Sequence, residues 1–292
     1  MPTHTLVIPP EMDGWKLRSA AVNGLHVSSG EFKRAKFHGQ MTLDGTIVHA
    51  DARVKAHQTL VLTVPEAEHA RPQAAHIPLS IAYEDEHFWI IDKPAPLPTA
   101  ASSRQEGPTL ENALFSHLGQ PEAFVYRPVN RLDKGTSGLM IAAKTAHAQH
   151  MLQGMLHTDG FVREYLAVVD GAPEADEGWI DLPIGKAEGA TVKREVRADG
   201  RQARTFYRVI QRGERSLIRL RLDTGRTHQI RVHMSALGCP VTGDFLYGRE
   251  LESLPGRFAL HSAFLRLRHP FTGEWLERES ALPPALEQLL DR

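Results

Sequence analysis

The sequence predicts an α+β protein in two parts, a small unit over residues 1–76 and a larger domain over 77–292. Three observations lead there. At 292 residues the chain is longer than most single domains and accommodates one large domain and one small one. Short β-favouring runs bounded by turn residues are interspersed with helical patterns that carry their own N-caps. Between the two parts, residues 65–78 are punctuated by proline and lack apolar periodicity, which marks a linker.

In the first part, Ser28 and Glu31 form a Ser-x-x-Glu capping box. The helix it starts carries Phe32 and the Lys33, Arg34 and Lys36 cluster, and stops at Gly39. Met41–Leu43 and Thr46–Val48 flank Asp44-Gly45, a strong hairpin signal because both turn residues tolerate positive φ. Leu60–Val64 closes the unit as a strand. A short basic helix followed by a hairpin loosely resembles the S4-type RNA-binding module.

The second part opens with strands at Ile81–Tyr83 and Phe88–Ile91, the latter ending at Asp92-Lys93-Pro94. Ala95–Pro108 is rich in proline and serine and reads as a loop. Thr109 caps a helix through Leu118, with Leu110, Leu114 and Leu118 along one face. Thr145 caps another that carries Met151, Leu152 and Met155. His147 and His150 lie on that helix without a further acidic or histidine ligand at suitable spacing, so they are read as exposed and no metal site is expected.

Phe161–Val169 forms a strand that stops at Asp170-Gly171. Ala203–Ile210 and Ser216–Leu222 form a hairpin, with Ile218, Leu220 and Leu222 on one side and Arg219 and Arg221 on the other. Gly225 allows a sharp turn, Thr227 caps the next helix, and Ile230, Met234 and Leu237 face inward. Leu260 onward alternates like a final strand; His261 and His269 have no obvious partners.

Composition narrows the functional classes. With 41% hydrophobic and 24% charged residues the chain is of ordinary globular type. Cys239 is the one cysteine, which excludes a disulfide framework and a thiolate-rich zinc site and fits a reducing cytoplasm. No signal-peptide pattern and no membrane-length apolar run is present. The net charge of −1 conceals a basic stretch: residues 186–231 hold 13 Lys and Arg against 5 Asp and Glu. Such a stretch is suited to a polyanion, or else lies as solvated strand faces.

Asp133 lies between Arg131 and Lys134, just before the apolar run Leu139–Ala143. A carboxylate at the mouth of a strand is a candidate nucleophile, although taken alone the pattern favours an ion-paired turn. The blocks Arg131–Gly138, Arg163–Ala167, Thr224–Arg231 and Gly243–Gly248 change that balance when read together. In this order they closely resemble the RluA-type pseudouridine synthases, over roughly residues 80–292.

The resemblance implies a pseudouridine synthase fold, a mixed and largely antiparallel sheet with a central cleft. It implies isomerisation of uridine in ribosomal or transfer RNA, with Asp133 as nucleophile, Tyr165 against the target base and Arg226 paired with the aspartate. Arg131, Lys93, Thr227, His228 and Arg231 are expected to bind substrate. No cofactor, metal or membrane is implied, and a cytoplasmic monomer is expected. Physical chemistry agrees with these roles, since a guanidinium keeps a half-dry carboxylate ionised and fixes its orientation, and Arg226→Ala is expected to abolish activity. Two positions depart from the common pattern: Asn130 stands where many members have histidine, and Ala95-Pro96 where a glycine is usual. The rival readings are an RNA-binding protein without catalysis and a nucleoside hydrolase, which would need a second acid or base.

Overall fold

The computed structural model describes residues 3–65, 71–101 and 107–290. Two bodies of buried apolar side chains correspond to the small unit and the large domain, and the large domain has a core on each face of its sheet.

The small unit comprises β1 (Thr3–Val7), α1 (Leu17–Gly24), α2 (Ser29–His38), β2 (Gln40–Leu43), β3 (Thr46–Ile47) and β4 (Thr59–Thr63). Its sheet runs β1-β4-β2-β3, and Leu17, Phe32, Leu60 and Leu62 fill its core. The capping box forms as expected, with Ser28 Oγ accepting from the Glu31 amide and Glu31 accepting from the Ser28 amide. Asp44 and Gly45 take φ of 49° and 81°, so both turn residues are left-handed, which matches the twist of the hairpin. β1 and α1 were not foreseen. β1 is short and its residues alternate between exposed and half-buried, so its apolar pattern is weak.

Part of the linker, residues 66–70, lies outside the described residues. The part that follows is docked on the next helix. Gln73 O accepts from Asn112 Nδ2 at 2.8 Å, and the Ala75 amide donates to Asn112 O at 3.2 Å.

The large domain contains β5 (Ser80–Glu84), β6 (Phe88–Lys93), α3 (Leu110–His117), β7 (Arg127–Pro128), β8 (Ser137–Ala143) and α4 (Ala146–Met155). It continues with β9 (Phe161–Asp170), β10 (Glu177–Asp181), β11 (Ile184–Lys186), β12 (Arg194–Val196), β13 (Arg204–Gln211) and β14 (Arg215–Leu222). It ends with α5 (Gln229–Ala236), β15 (Leu260–Arg268), β16 (Trp275–Glu279) and α6 (Pro284–Glu287). Ten strands form one sheet along the path β10-β13-β14-β9-β15-β8-β6-β5, with β16 on β15 and β7 on β8. β11 and β12 pair separately. Among the described residues no helix is long and apolar enough to cross a membrane.

All seven residues of β8 are buried, and a continuous apolar strand requires cover on both faces. Met140 and Ala142 join the core beneath α3 and α5, which Leu110, Leu114, Ile230 and Met234 complete. Leu139, Ile141 and Ala143 join the opposite core with Ala148 and Leu152 of α4. Leu237 does not face inward as expected. It lies just beyond the end of α5 and is 37% exposed.

The sheet is antiparallel except at its centre, where β15 runs parallel to β8 through only two pairs, His261↔Ser137 and Ser262↔Gly138. Gly138 has a φ of +103°, and a Cβ there would lie 2.3 Å from Ser262 O, so no other residue fits without moving backbone. His261 bolts the same seam, its Nδ1 bonded to Ser137 Oγ at 2.9 Å and its Nε2 to Ser280 O at 3.2 Å. His269 has partners too: its Nδ1 accepts from the amides of Phe271 and Thr272, which leaves Nε2 to donate to Asp85 at 2.6 Å.

The seam makes a prediction. Gly171 also has positive φ, at 76°, but nothing crowds its missing Cβ. Gly171→Ala should therefore cost about 1–2 kcal/mol from backbone strain alone. Gly138→Ala should cost roughly 3 kcal/mol or more, read as a shift of the urea midpoint at unchanged slope.

Candidate active site

The Asp133 loop is the connection from β7 to β8, and its shape is set from three sides. Thr99 Oγ1 donates to Leu132 O at 2.7 Å and accepts from the Leu132 amide at 3.2 Å. The Leu97 amide donates to Lys134 O at 2.9 Å, and the Thr136 amide closes a turn on Asp133 O at 3.1 Å. Beneath the loop a Cβ on Gly135 would lie 2.6 Å from the ring of the buried Phe258. The motif needs glycine there because the ring is packed directly against the backbone.

Asp133 opens onto a cleft of about 480 Å³ lined by Asn130, Tyr165, Arg226, Thr227, His228 and Arg231, among others. Its carboxylate is 29% exposed. Arg231 Nη1 donates to Asp133 Oδ2 at 2.9 Å, while its Nε and Nη2 grip Asp244 at 2.6 and 2.9 Å. The guanidinium is 3% exposed and Asp244 is fully buried. Burial opposes the charge on Arg231, but the hydrogen bonds and charges of Asp244 and Asp133 prevail and hold it above its ordinary range. Phe258 packs against the guanidinium face with its ring centre 4.1 Å away, so the ring that supports the Asp133 loop also supports its partner.

The expected pairing of Asp133 with Arg226 is therefore corrected: the partner is Arg231, which had been assigned to substrate binding. Arg226 Nε instead donates to Gln202 O at 2.9 Å. The cause is local. His228 takes a left-handed φ of 59°, so the helix begins at Gln229 and Thr227 does not cap it. Gln229 Oε1 accepts from Thr224 Oγ1 and the Arg226 amide, both at 2.9 Å, and its Nε2 donates to Arg204 O and Thr205 Oγ1. This side chain draws the turn back toward β13, and Arg231, in the first turn of α5, points at Asp133.

Lys93 is also reassigned. It is fully buried and spends its ammonium on Pro94 O and Leu97 O at 2.9 and 2.8 Å, so it is not available to RNA. Burial pushes its pKa down to about 7 against the attraction of Asp133. Its role is to brace the turn that holds the Asp133 loop. Arg131 and Thr227 are exposed at the rim of the cleft. Tyr165 is 5% exposed, faces the cleft, and its hydroxyl makes no hydrogen bond among the described residues.

His228 completes the surround. Tyr247 Oη accepts from the Arg194 amide at 2.8 Å and shares a hydrogen bond with His228 Nδ1 at 2.8 Å. His228 Nε2 lies 3.9 Å from Asp133 Oδ2. Burial lowers its pKa although Asp133 works to raise it. Asp244, Tyr247, Phe258 and Gln229 were not singled out as site residues from sequence. The signal for the first two was present, since both lie in the Gly243–Gly248 block.

The basic stretch is less available than its charge suggests. Arg208, Arg212, Arg215 and Arg219 pair with Glu177, Asp176, Asp170 and Glu164, acids outside the stretch. Arg197 and Arg204 are paired as well, and Arg231 is committed within the cleft.

The sheet split by a parallel seam carries, in a cleft beside that seam, an arginine-held aspartate and a tyrosine. The chain belongs to the RNA pseudouridylate synthase family, whose model matches residues 87–236. It is 39% identical to the "Ribosomal large subunit pseudouridine synthase D" of Pseudomonas aeruginosa, over 84% of this chain and 81% of that one. The protein of that name from Nitrosomonas europaea is 36% identical over 99% of this chain and 87% of its own length. Among solved structures, "Human RNA Pseudouridylate Synthase Domain Containing 1" aligns with a TM-score of 0.60 at 26% identity, covering 74% of this chain and 89% of that one.

Arg231→Lys keeps a charge but loses the two-sided fork, and should reduce turnover at least about 100-fold. Arg226→Ala should reduce it less than about tenfold, the reverse of the order expected from sequence. Single-turnover rates on one RNA decide between the two orders. The ion pairs also bear on binding. Of the 13 cations in the stretch, seven are paired, leaving six. A plot of log affinity against log salt should then have a slope nearer about −4 than the roughly −9 of a fully available stretch.

Proposed function

We propose that this synthase converts uridine in large-subunit ribosomal RNA to pseudouridine, with Asp133 as the nucleophile. The observation that carries the reading is the Arg231–Asp133 pair in the cleft: one oxygen of a partly exposed carboxylate is held by a buried guanidinium. The ribosomal target is supported by the names of the relatives that match nearly the whole chain.

The reaction needs a target nucleotide turned out of its RNA structure, because the glycosidic bond is unreachable inside a stack. Tyr165 provides an aromatic wall for the extruded base. Asp133 acts at the sugar and is held in one orientation by Arg231 as water is excluded. The C1′–N1 bond breaks, the uracil turns in place, C5 bonds to C1′, and the proton on C5 leaves. The unbonded hydroxyl of Tyr165 is placed to relay that proton to solvent, passing its own on as it takes the one from C5. Atoms and electrons balance without an oxidant or a second substrate.

The small unit is read as an S4-like RNA-binding module over residues 1–76. Lys16, Arg18, Lys36 and the 64% exposed Phe37 border a groove on it of about 1110 Å³, which offers cations and a stacking surface to a strand of RNA.

Tritium release from [5-³H]uridine-labelled RNA tests the reading. Large-subunit RNA should release label with the intact enzyme, and Asp133→Asn should reduce release at least about 10³-fold with binding retained. Release from transfer RNA alone would move the target while leaving the chemistry in place. Accumulation of free uracil would indicate hydrolysis and overturn the proposal.

A further inference from the structure

The small unit and the large domain meet where β1 and α2 face the start of α4. His4 on β1, Glu31 in the first turn of α2 and His147 in the first turn of α4 each present a ligand atom there, all within 4.8 Å of one another. The structure thus supplies the further ligands that the sequence withheld from His147. We propose that His4, Glu31 and His147 bind a divalent transition-metal ion of the zinc class, which clamps the N-terminal unit onto the catalytic domain.

Glu31 is 2% exposed, an expensive place for a carboxylate without a close positive partner. One of its oxygens is occupied by the Ser28 amide at 2.8 Å. The other faces His4 Nε2 at 4.0 Å, too far for a hydrogen bond and close enough to share an ion. Arg34 lines the same cavity, but no ion pair joins it to Glu31 among the described residues.

The two imidazoles have lost solvent without gaining protein partners. Their ring centres are 4.5 Å apart, and His147 Nδ1 is shielded from solvent with no hydrogen bond. Burial, with the neighbouring His4 adding to it, pushes the pKa of His147 down to about 4. Burial lowers that of His4 too, although Glu31 pulls the other way. Burial thus favours the neutral form of both rings, the form in which imidazole binds a metal.

Two nitrogens and one carboxylate oxygen suit zinc and its neighbours, whereas calcium and magnesium prefer oxygen throughout. The donor atoms, within 4.8 Å of one another, have to close to the roughly 3.4 Å spacing of a tetrahedral site with 2.1 Å bonds. The adjoining cavity, about 130 Å³, is bounded by Val64, Pro65, His87 and Phe271 and leaves room for water as a fourth ligand. The three residues come from both sides of the junction, so the ion would fix the small unit relative to the cleft.

The test uses the untagged full chain, stripped with chelator and titrated with Zn²⁺ by calorimetry and with Co²⁺ by visible absorption. One tight site per chain and a Co²⁺ band typical of four- or five-coordination are expected. His147→Ala, at a helix position with no capping role, should weaken that site at least about 100-fold while the circular dichroism is unchanged. His4→Asn should do the same and guards against a folding defect in the first variant. Zinc should raise the melting temperature of the intact chain and not that of either variant. The absence of a stoichiometric site in the stripped chain, or an affinity in both variants equal to that of the intact chain, would overturn the proposal.

Discussion

Everything in the catalytic cleft depends on how one buried guanidinium is divided. Arg231 meets two carboxylates with opposite duties, Asp244 with no exposure and Asp133 at the edge of solvent. The buried acid takes two of its hydrogen bonds and fixes the plane of the fork. The remaining nitrogen is left to orient Asp133. A lone arginine at this depth would be costly. With Asp244 as its buried counter-ion, it can hold Asp133 without depending on it. Asp244 also accepts the amides of Leu246 and Tyr247, which ties the pair to the chain that carries the His228 partner.

The aromatic and glycine positions follow from that arrangement. Phe258 packs against the Arg231 fork on one side and the backbone of Gly135 on the other. A side chain at residue 135 would displace the ring, and with it the guanidinium. Lys93 works from the other flank by closing the turn that presents Leu97 to Lys134. Asp133 is thus held by packing and backbone bonds as well as by Arg231, a preorganised arrangement.

Local structure was legible in the sequence where local rules decide it. The Ser28 and Thr145 caps, the Asp44-Gly45 hairpin and the two-faced β14 all follow from contacts within a few residues. The cleft residues Asp133 and Tyr165 were found because they sit in long motif blocks. What failed was the choice that depended on the exact start of α5. The left-handed His228 is not signalled by its residue type, and it decides which of Arg226 and Arg231 reaches the aspartate. Net charge also misled, because the acids that neutralise the β13–β14 hairpin come from neighbouring strands. The cluster at His4, Glu31 and His147 was out of reach, since only the docking of the two parts brings it together.

The bond from Arg231 to Asp133 spans 98 positions of the chain, and Asp244 follows 13 later. An order of events during translation follows from this. When Asp133 leaves the ribosome, its counter-ion has not yet been polymerised, and the strand that forms the far side of the seam is later still. The brackets from Leu97 and Thr99 lie earlier in the chain, whereas the Asp133–Arg231–Asp244 arrangement is completed only after synthesis has passed residue 244.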